Sequence, residues 1–302
     1  MTLHRFAFHA MAATHELQLV APSLAAAQRA AAAAIADVLR IEAKYSRYRD
    51  DSLTSRINRG AGGAPVAIDA ETAALLRYAD DCHRLSDGKF DVTSGVLRRA
   101  WDFRAHPPRV PDAATLAPLC ALIGWDEVTW DADAIRLPRA GMEIDFGGIG
   151  KEYAADRMAT ICRDHGIASG LVNLGGDIRA IGAQESGAPW RIGIRHPRAP
   201  DEAIAVLDVV DAAVATSGDY ERCIEVDGVR YSHLLDPATG RPVVHWQSVS
   251  VVAPLCVVAG SLATIAMLLE ARALPFLAAQ GAAYLAVDAH GGVHRAPAAA
   301  SP

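Results

Sequence analysis

Residues 145–166 read DFGGIGKEYAADRMATICRDHG, an acid and a glycine-rich loop followed by a regular amphipathic run. This order predicts a strand that ends at Asp145, a tight loop over residues 147–150 and a helix from Lys151 to Gly166. Bare backbone N–H groups and an ammonium at a helix start are able to bind phosphate. A plain strand–turn–helix joint would have the same glycine spacing, which matches neither a P-loop nor a Rossmann fingerprint.

Patterns elsewhere indicate a mixture of elements rather than a regular alternation of strand and helix. Helical periodicity predicts three more helices, at 23–45, 71–88 and 256–271. Alternating or apolar runs predict strands at 15–21, in a hairpin at 125–138, and at 168–182, 190–197 and 204–218. No internal repeat or long linker divides the chain, so we expect one domain over residues 1–302, with a frayed tail from His294.

Composition excludes several classes of protein. With 51% hydrophobic residues and a formal net charge of −6, the chain has the core of a globular protein and lacks the basic surface that nucleic acid requires. The five cysteines are scattered and form no C-x-x-C pair, which predicts reduced thiols in a cytoplasmic protein. The most apolar stretch, 248–271, contains Pro254 and Gly260, which favours a strand, a turn and a core helix over a membrane span.

Other short stretches combine glycines, hydroxyls and acids. They are AMAAT (10–14), YSRYRDDSLTSRIN (45–58), DGKFDVTSGVL (87–97), GLVNLGGDIRAIG (170–182), ATSGDYER (215–222), YSHLLDPATGRP (231–242) and AGSLAT (259–264). Each has an ordinary explanation as a capped helix start, a glycine bulge or a turn, and each is also typical of a ligand-binding loop.

In this order, the stretches resemble the ApbE family, the FAD:protein FMN transferases, over nearly the whole chain from about residue 5 to about residue 290. The resemblance implies a two-lobed α+β fold with a mixed, largely antiparallel sheet, flanking helices and a flavin cleft between the lobes. It also implies an enzyme that uses FAD and Mg2+ and attaches FMN to a Ser or Thr of an acceptor flavoprotein, releasing AMP.

The same resemblance assigns roles to residues. It places Met11, Tyr48, Lys89, Phe90, Asp91, Asp145, Lys151 and His233 against FAD, and it places the metal at Gly148, Gly260 and Thr264. Apolar and aromatic side chains desolvate and stack on a ring system, and an ammonium neutralises pyrophosphate charge.

His233 is the candidate catalytic base. Its residue context alone, in the turn-forming sequence His233-Leu-Leu-Asp-Pro, favours a turn histidine that bonds backbone. The match to the H-x-x-D-P-x-T-G segment of the family favours a base instead, because an attacking hydroxyl must lose its proton and histidine titrates near neutral pH.

The chain departs from the family at its last motif. Where the family has A-D-x-x-[AS]-T, the carboxylate is replaced by Gly260, and no acid occurs between Asp236 and Glu270. We expect Thr264, the carbonyl near Gly148 and the pyrophosphate to hold Mg2+ more weakly. A smaller departure is Ala12-Ala13 where the family favours glycine and threonine.

Three functions therefore stay open. They are a working transferase, a hydrolase that splits FAD with water, and a flavin carrier that has lost its chemistry. With Gly260 expected near a helix start, Gly260→Asp should lower the Mg2+ requirement of a transferase at little cost in stability.

Overall fold

The structure is a computed structural model that describes residues 1–297. Its α-helices are α1 Leu24–Tyr45, α2 Leu53–Arg59, α3 Ala70–Leu85, α4 Ala113–Cys120, α5 Gly150–Asp164, α6 Cys256–Leu269 and α7 Ala273–Ala279. Its strands are β1 Thr2–Ala10, β2 Ala13–Ala21, β3 Val66–Ala67, β4 Thr129–Trp130, β5 Ala134–Arg136, β6 Gly170–Leu174, β7 Asp177–Ile181, β8 Trp190–Arg195, β9 Ala203–Val209, β10 Ala213–Gly218, β11 Cys223–Val226, β12 Val229–Ser232, β13 Trp246–Ala253, β14 Ala283–Asp288 and β15 Val293–Ala296. A 3₁₀ helix spans Val92–Arg99.

An eight-stranded sheet, in the order β1-β2-β6-β7-β10-β13-β14-β15, forms the centre of the fold. Every strand pairing within residues 1–297 is antiparallel, so the sheet is more uniform than the mixed, largely antiparallel one predicted. Leu17 and Val249 pack with α1, α5 and α6 on one face, and Val214 packs with the β8–β9 hairpin on the other. The predicted α+β class is confirmed.

Small side chains bring α1 and α5 close together. The Ser23 hydroxyl caps α1 by accepting from the Ala26 N–H at 3.2 Å. The buried side of α1 begins with Ala27, Ala30, Ala31 and Ala34, and α5 presents Ala154, Ala155 and Ala159. Because the distance between packed helices depends on side-chain size at the contact, these alanines let both helices lie tightly on the sheet.

The start of α6 is fixed by a residue on another helix. Asp156 of α5 accepts the N–H groups of Cys256 at 2.8 Å and Val257 at 2.9 Å. These are two of the N–H groups that a helix leaves without intrahelical partners. Asp156 thus caps α6 across the interface and joins the two helices that border the candidate site.

Three local predictions need correction. No strand ends at Asp145. Its N–H donates to the carbonyl of Val92, the first residue of the 3₁₀ helix, at 2.8 Å, and the Asn58 side chain bonds both backbone groups of Ile144, at 2.8 and 3.0 Å. Gly260 does not break the helix, since α6 already begins at Cys256 and Gly260 lies inside it. The tail is ordered through β15, which pairs with β14; residues 298–302 lie outside the described part.

One segment of residues 1–297, Cys256–Ala279, is long and apolar enough to cross a membrane by length and composition, with a mean hydropathy of 1.6. It is 61% buried inside the protein over that window, and the chain breaks within it at Glu270, where φ is 49°. Its longer part, α6, packs against β10 and β13, as a core helix does. Within the described residues the five cysteines are free thiols, as predicted.

We predict that Asp156→Ala lowers the free energy of unfolding by about 1–3 kcal/mol, because two helix N–H groups lose their acceptor. Arg179, which lies 3.4 Å from Asp156, would lose a counter-charge as well. Urea unfolding followed by circular dichroism measures the change. Asp164→Ala on the exposed end of α5 is the matched control and should change stability by less than about 0.5 kcal/mol. Equal losses in both variants would contradict the capping role.

Candidate functional site

Residues 145–152 connect the parts of the candidate site. Four residues of this segment each contact a different part of the protein. The contacts are Arg47 at Asp145, Phe90 at Gly148, Asp177 at Lys151 and Gly260 at Glu152. The glycine loop therefore brings together sequence stretches that lie more than 200 residues apart.

Lys151 provides a held positive charge. Its Nζ lies 2.5 Å from Oδ2 of Asp177, the first residue of β7. The turn before β7 has positive φ at Gly175 and Gly176, and a Cβ on Gly175 would stand 3.7 Å from the Lys151 Nζ. Burial lowers the pKa of Lys151, but the charges of Asp177 and Glu152 outweigh it and raise the pKa. The ammonium therefore stays charged beside a bare backbone turn, which suits a phosphate group.

His233 stands on a rigid corner, as the sequence predicts. Its backbone N–H donates to the Arg222 carbonyl at 3.0 Å, and Asp236 closes the following turn by accepting from the Gly240 N–H at 2.8 Å. Gly240 has a φ of +65°, and its carbonyl accepts from the Trp101 indole at 2.7 Å. The corner is therefore fixed by backbone bonds at both ends.

The side chain of His233 is oriented by the same carbonyl. Nδ1 lies 3.2 Å from the Arg222 oxygen. A carbonyl only accepts, so this bond places the proton on Nδ1 and leaves a lone pair on Nε2. Burial, the Arg222 guanidinium and the Lys151 ammonium lower the pKa of His233 from 6.5 to about 4. At neutral pH the ring is therefore an uncharged proton acceptor.

The three predicted metal positions belong to two elements, Gly260 and Thr264 to α6 and Gly148 to the loop before α5, and metal binding there stays a prediction. Gly260 and Thr264 share one face of α6, four residues apart, and the Thr264 hydroxyl lies 2.8 Å from the Ser217 hydroxyl of β10. Gly148 lies against the Phe90 ring, since a Cβ there would stand 3.0 Å from Cζ. Besides its place in the glycine-rich loop, close packing against Phe90 thus favours glycine at position 148.

The volume beside Gly260 is filled. A Cβ on Gly260 would stand 2.6 Å from Cγ and 3.0 Å from Oε1 of Glu152. Glu152 is 7% exposed, and burial and the nearby Asp177 charge raise its pKa to about 7. The expectation that Gly260→Asp costs little stability is therefore wrong, because the position is inside α6 and faces a buried carboxyl group.

Two predicted flavin contacts differ in exposure, since Tyr48 is exposed whereas Met11 is half-buried against the core. The Tyr48 side chain is exposed, and its ring carries the Arg47 guanidinium at 5.1 Å. Met11 occupies the turn between β1 and β2 with a φ of 49°, and Ala12 follows with a φ of 60°. Ala12 therefore bears the strain that a glycine would not. Contact of Tyr48 and Met11 with FAD stays a prediction.

The side chains of Lys89 and Asp91 are bonded to other groups of the protein. Lys89 Nζ lies 2.6 Å from the Asp236 carboxylate and so ties this stretch to the His233 turn. Asp91 is buried and accepts from the Thr93 N–H at 2.7 Å and from the Trp125 N–H at 3.2 Å. These bonds position the loop, and direct contact of Lys89, Phe90 and Asp91 with FAD stays a prediction.

Sequence reasoning missed Glu152 and gave Asp177 no part beyond capping. Both follow residues that the motifs emphasise, Lys151 and Gly176, but no local pattern indicates that they meet. Their proximity depends on how α5 and β7 pack.

A separate cavity of about 150 Å³, lined by Glu16, Arg191 and neighbours, lies by the β8 strand and contains none of the predicted residues.

The ApbE family model matches residues 11–286. The chain belongs to the ApbE family. The FAD:protein FMN transferase of Vibrio cholerae is 35% identical over 225 residues, which cover 73% of this chain and 67% of that protein. The FAD:protein FMN transferase of Treponema pallidum is 36% identical over 245 residues, which cover 76% and 68%.

Solved ApbE structures have the same fold. The ApbE protein of Thermotoga maritima superposes with a TM-score of 0.91 at 31% identity, over 98% of this chain and 97% of that one. A histidine variant of the flavin transferase ApbE from Vibrio cholerae gives 0.88 at 29% identity, over 99% and 98%. The predicted family, fold and enzyme class are therefore confirmed.

We predict that Gly260→Ala destabilises this ApbE protein by about 1–3 kcal/mol, although alanine favours a helix by about 1 kcal/mol. The added methyl group would overlap Glu152. In a Glu152→Ala background the same change should be neutral or stabilising, so a double-mutant cycle on the free energy of unfolding isolates the contact. Additive effects would show that the two positions do not touch.

Proposed function

We propose that this ApbE protein transfers FMN from FAD to a Ser or Thr hydroxyl of an acceptor flavoprotein and releases AMP. Its membership of the family and its FAD:protein FMN transferase relatives support this activity. The observation that carries it is the pair of His233 and Lys151. His233 is an uncharged ring with a free Nε2, because its Nδ1 lies 3.2 Å from the Arg222 carbonyl oxygen and burial lowers its pKa; the Arg222 and Lys151 charges add to this lowering.

The proposed reaction is one displacement at phosphorus. The acceptor oxygen forms a bond to the FMN-side phosphorus, and the bond from that phosphorus to the bridging oxygen of AMP breaks. The hydroxyl proton goes to Nε2 of His233, and the new negative charge leaves on AMP. Little covalent chemistry is left to the protein, so positioning and charge stabilisation supply most of the rate.

Lys151 would bind the pyrophosphate of FAD. Its ammonium stands at the start of α5 beside the bare turn at Gly175–Gly176, so backbone N–H groups and a cation are next to each other. Phosphate oxygens compete with Asp177 for the same ammonium. Tyr48, with an exposed ring, is suited to stack on a flat ring system such as a flavin.

Magnesium fits this site. Oε2 of Glu152 is buried without a hydrogen-bond partner, and the Thr264 hydroxyl lies on the same side of α6 as Gly260. Carboxylate and hydroxyl oxygens are ligands that Mg2+ accepts, and it commonly keeps several waters. Within residues 1–297 no three His, Cys, Asp or Glu side chains form a metal cluster by themselves, so phosphate oxygens would complete the ligand set. When bound, the metal would neutralise charge on the pyrophosphate.

Incubation of the purified protein with FAD, Mg2+ and candidate acceptors tests the proposal. We expect AMP release in step with a gain of FMN mass on the acceptor. AMP release with no modified acceptor would instead indicate a hydrolase, and FAD binding without AMP release would indicate a carrier. The carrier function was suggested by Gly260, and the carboxyl group of Glu152 beside that glycine supports the transferase instead.

His233→Gln should lower kcat for FMN transfer by about a hundredfold or more, because glutamine retains hydrogen bonding but accepts no proton. The Kd for FAD, measured by flavin fluorescence, should change by less than about threefold, since a base acts in the transition state. His165→Gln, on the exposed end of α5, is the control. Near-normal turnover in His233→Gln would reduce His233 to a positioning residue.

The pH profile gives an independent check on His233. Since only the neutral ring accepts a proton, activity should fall as pH drops through the pKa of His233. That pKa is lowered in the free enzyme, so the acid limb of kcat/KM should lie below pH 6.5. A bound pyrophosphate opposes the Lys151 charge and should move the acid limb of kcat to higher pH. Identical acid limbs in wild type and His233→Gln would exclude this origin.

A further inference from the structure

Glu152 is an unusual buried acid. It is 7% exposed, lies in the first turn of α5, and its Oε2 has no hydrogen-bond partner. Buried polar atoms in folded proteins are nearly always bonded, so one left unpaired usually has an unseen partner. The nearest fixed cation, Lys151, is paired with Asp177 instead.

The position of this carboxyl group depends on Gly260. Its Cγ, Cδ and Oε1 stand 2.6, 3.1 and 3.0 Å from where a Cβ on Gly260 would be. Any larger residue at 260 would push Glu152 aside. The side chain of Glu152 thus occupies the space in which a side chain at 260 would begin, on the face of α6 that also carries Thr264 one turn later.

The surroundings of Glu152 have excess negative charge. Asp177 is 4% exposed and Glu152 is 7% exposed, and Lys151, the ammonium beside them, is paired with Asp177. Two buried carboxylates face one ammonium, and burying an uncompensated charge is costly. The Ser217 and Thr264 hydroxyls, 2.8 Å apart, add neutral oxygens beside α6. A hard divalent cation would balance the charge and use these oxygens.

We infer that Glu152 is a ligand of the Mg2+ ion, and that it brings to the site from α5 the carboxylate that position 260 on α6 lacks. The inference rests on the proposed use of Mg2+ with FAD. Metal binding by Glu152 would explain three observations together, namely the excess carboxylate, the unpaired Oε2 and the absence of a side chain at Gly260. Asp177 remains paired with Lys151 beside the metal.

Binding of Mn2+, a spectroscopic substitute for Mg2+, tests the inference apart from activity. Free Mn2+ is counted by electron paramagnetic resonance, with the protein alone and with FAD whose integrity is checked afterwards by chromatography. Glu152→Gln should weaken Mn2+ binding by about tenfold to a hundredfold. It preserves shape, so the melting temperature without metal should not fall, and the Kd for FAD without metal should stay within about threefold. Glu202→Gln, on the surface, is the control.

A second variant moves the carboxylate back to α6. Glu152→Gly with Gly260→Asp should bind Mn2+ within about threefold of wild type, whereas Glu152→Gly alone should bind as weakly as Glu152→Gln. Restored binding would support the inference even if the single variants were less stable. Equal Mn2+ affinity in wild type and Glu152→Gln would overturn it while leaving the proposed transfer intact. FMN transfer that needs no divalent metal would also overturn the inference. In that case the proposed transfer would stand, but without a metal ion.

Discussion

The charge balance around Lys151 is the constraint on which the other parts of the site depend. Its ammonium lies between the first turn of α5 and the first residue of β7, and it faces two carboxylates that are more buried than itself. Lys151 therefore holds the glycine-rich turn beside the helix start. It also lowers the pKa of His233, which belongs to a turn far away in sequence. Removal of this one charge would leave Asp177 without its partner and would take away a minor contribution to the lowered pKa of His233, which burial dominates.

Scaffold contacts explain why several motif residues occur where they do. Asp156 belongs to the same stretch as Lys151, yet its carboxylate caps α6. Asp91 holds its own loop through the Thr93 and Trp125 N–H groups. Family motifs thus combine residues that meet the substrate with residues that fix the elements carrying them. Structure separates the two kinds, because the second kind has its hydrogen bonds already made.

Local sequence signals predicted the elements that are stabilised locally. The alanine periodicity that predicts α1 lies within that helix and Ser23 directly precedes it, and the predicted hairpin at 125–138 contains both β4 and β5 with the turn between them. The start of α6 at Cys256 agrees with the helix predicted at 256–271, but the cap that fixes this start was missed, because it comes from α5 about 100 residues earlier. The expected strand before Asp145 is absent for a similar reason, since the Asn58 amide satisfies that backbone from another helix. The turn of His233 was predictable from Asp236 and Gly240, whereas the meeting of Glu152 with Gly260 was not, because it exists only after α5 packs on α6.

The contact between Glu152 and Gly260 also restricts how such a chain evolves. A side chain at 260 and a glutamate at 152 exclude each other, because both would fill the same few cubic ångströms. We therefore expect a glutamate to be accepted at position 152 only when position 260 is glycine. In the reverse direction, Glu152 has to be replaced by a smaller residue before a side chain is accepted at 260. We thus expect epistasis between the two positions, with each substitution harmful in one background and acceptable in the other. Among relatives of this chain, a large residue at one position should accompany a small one at the other, as an inherited pair.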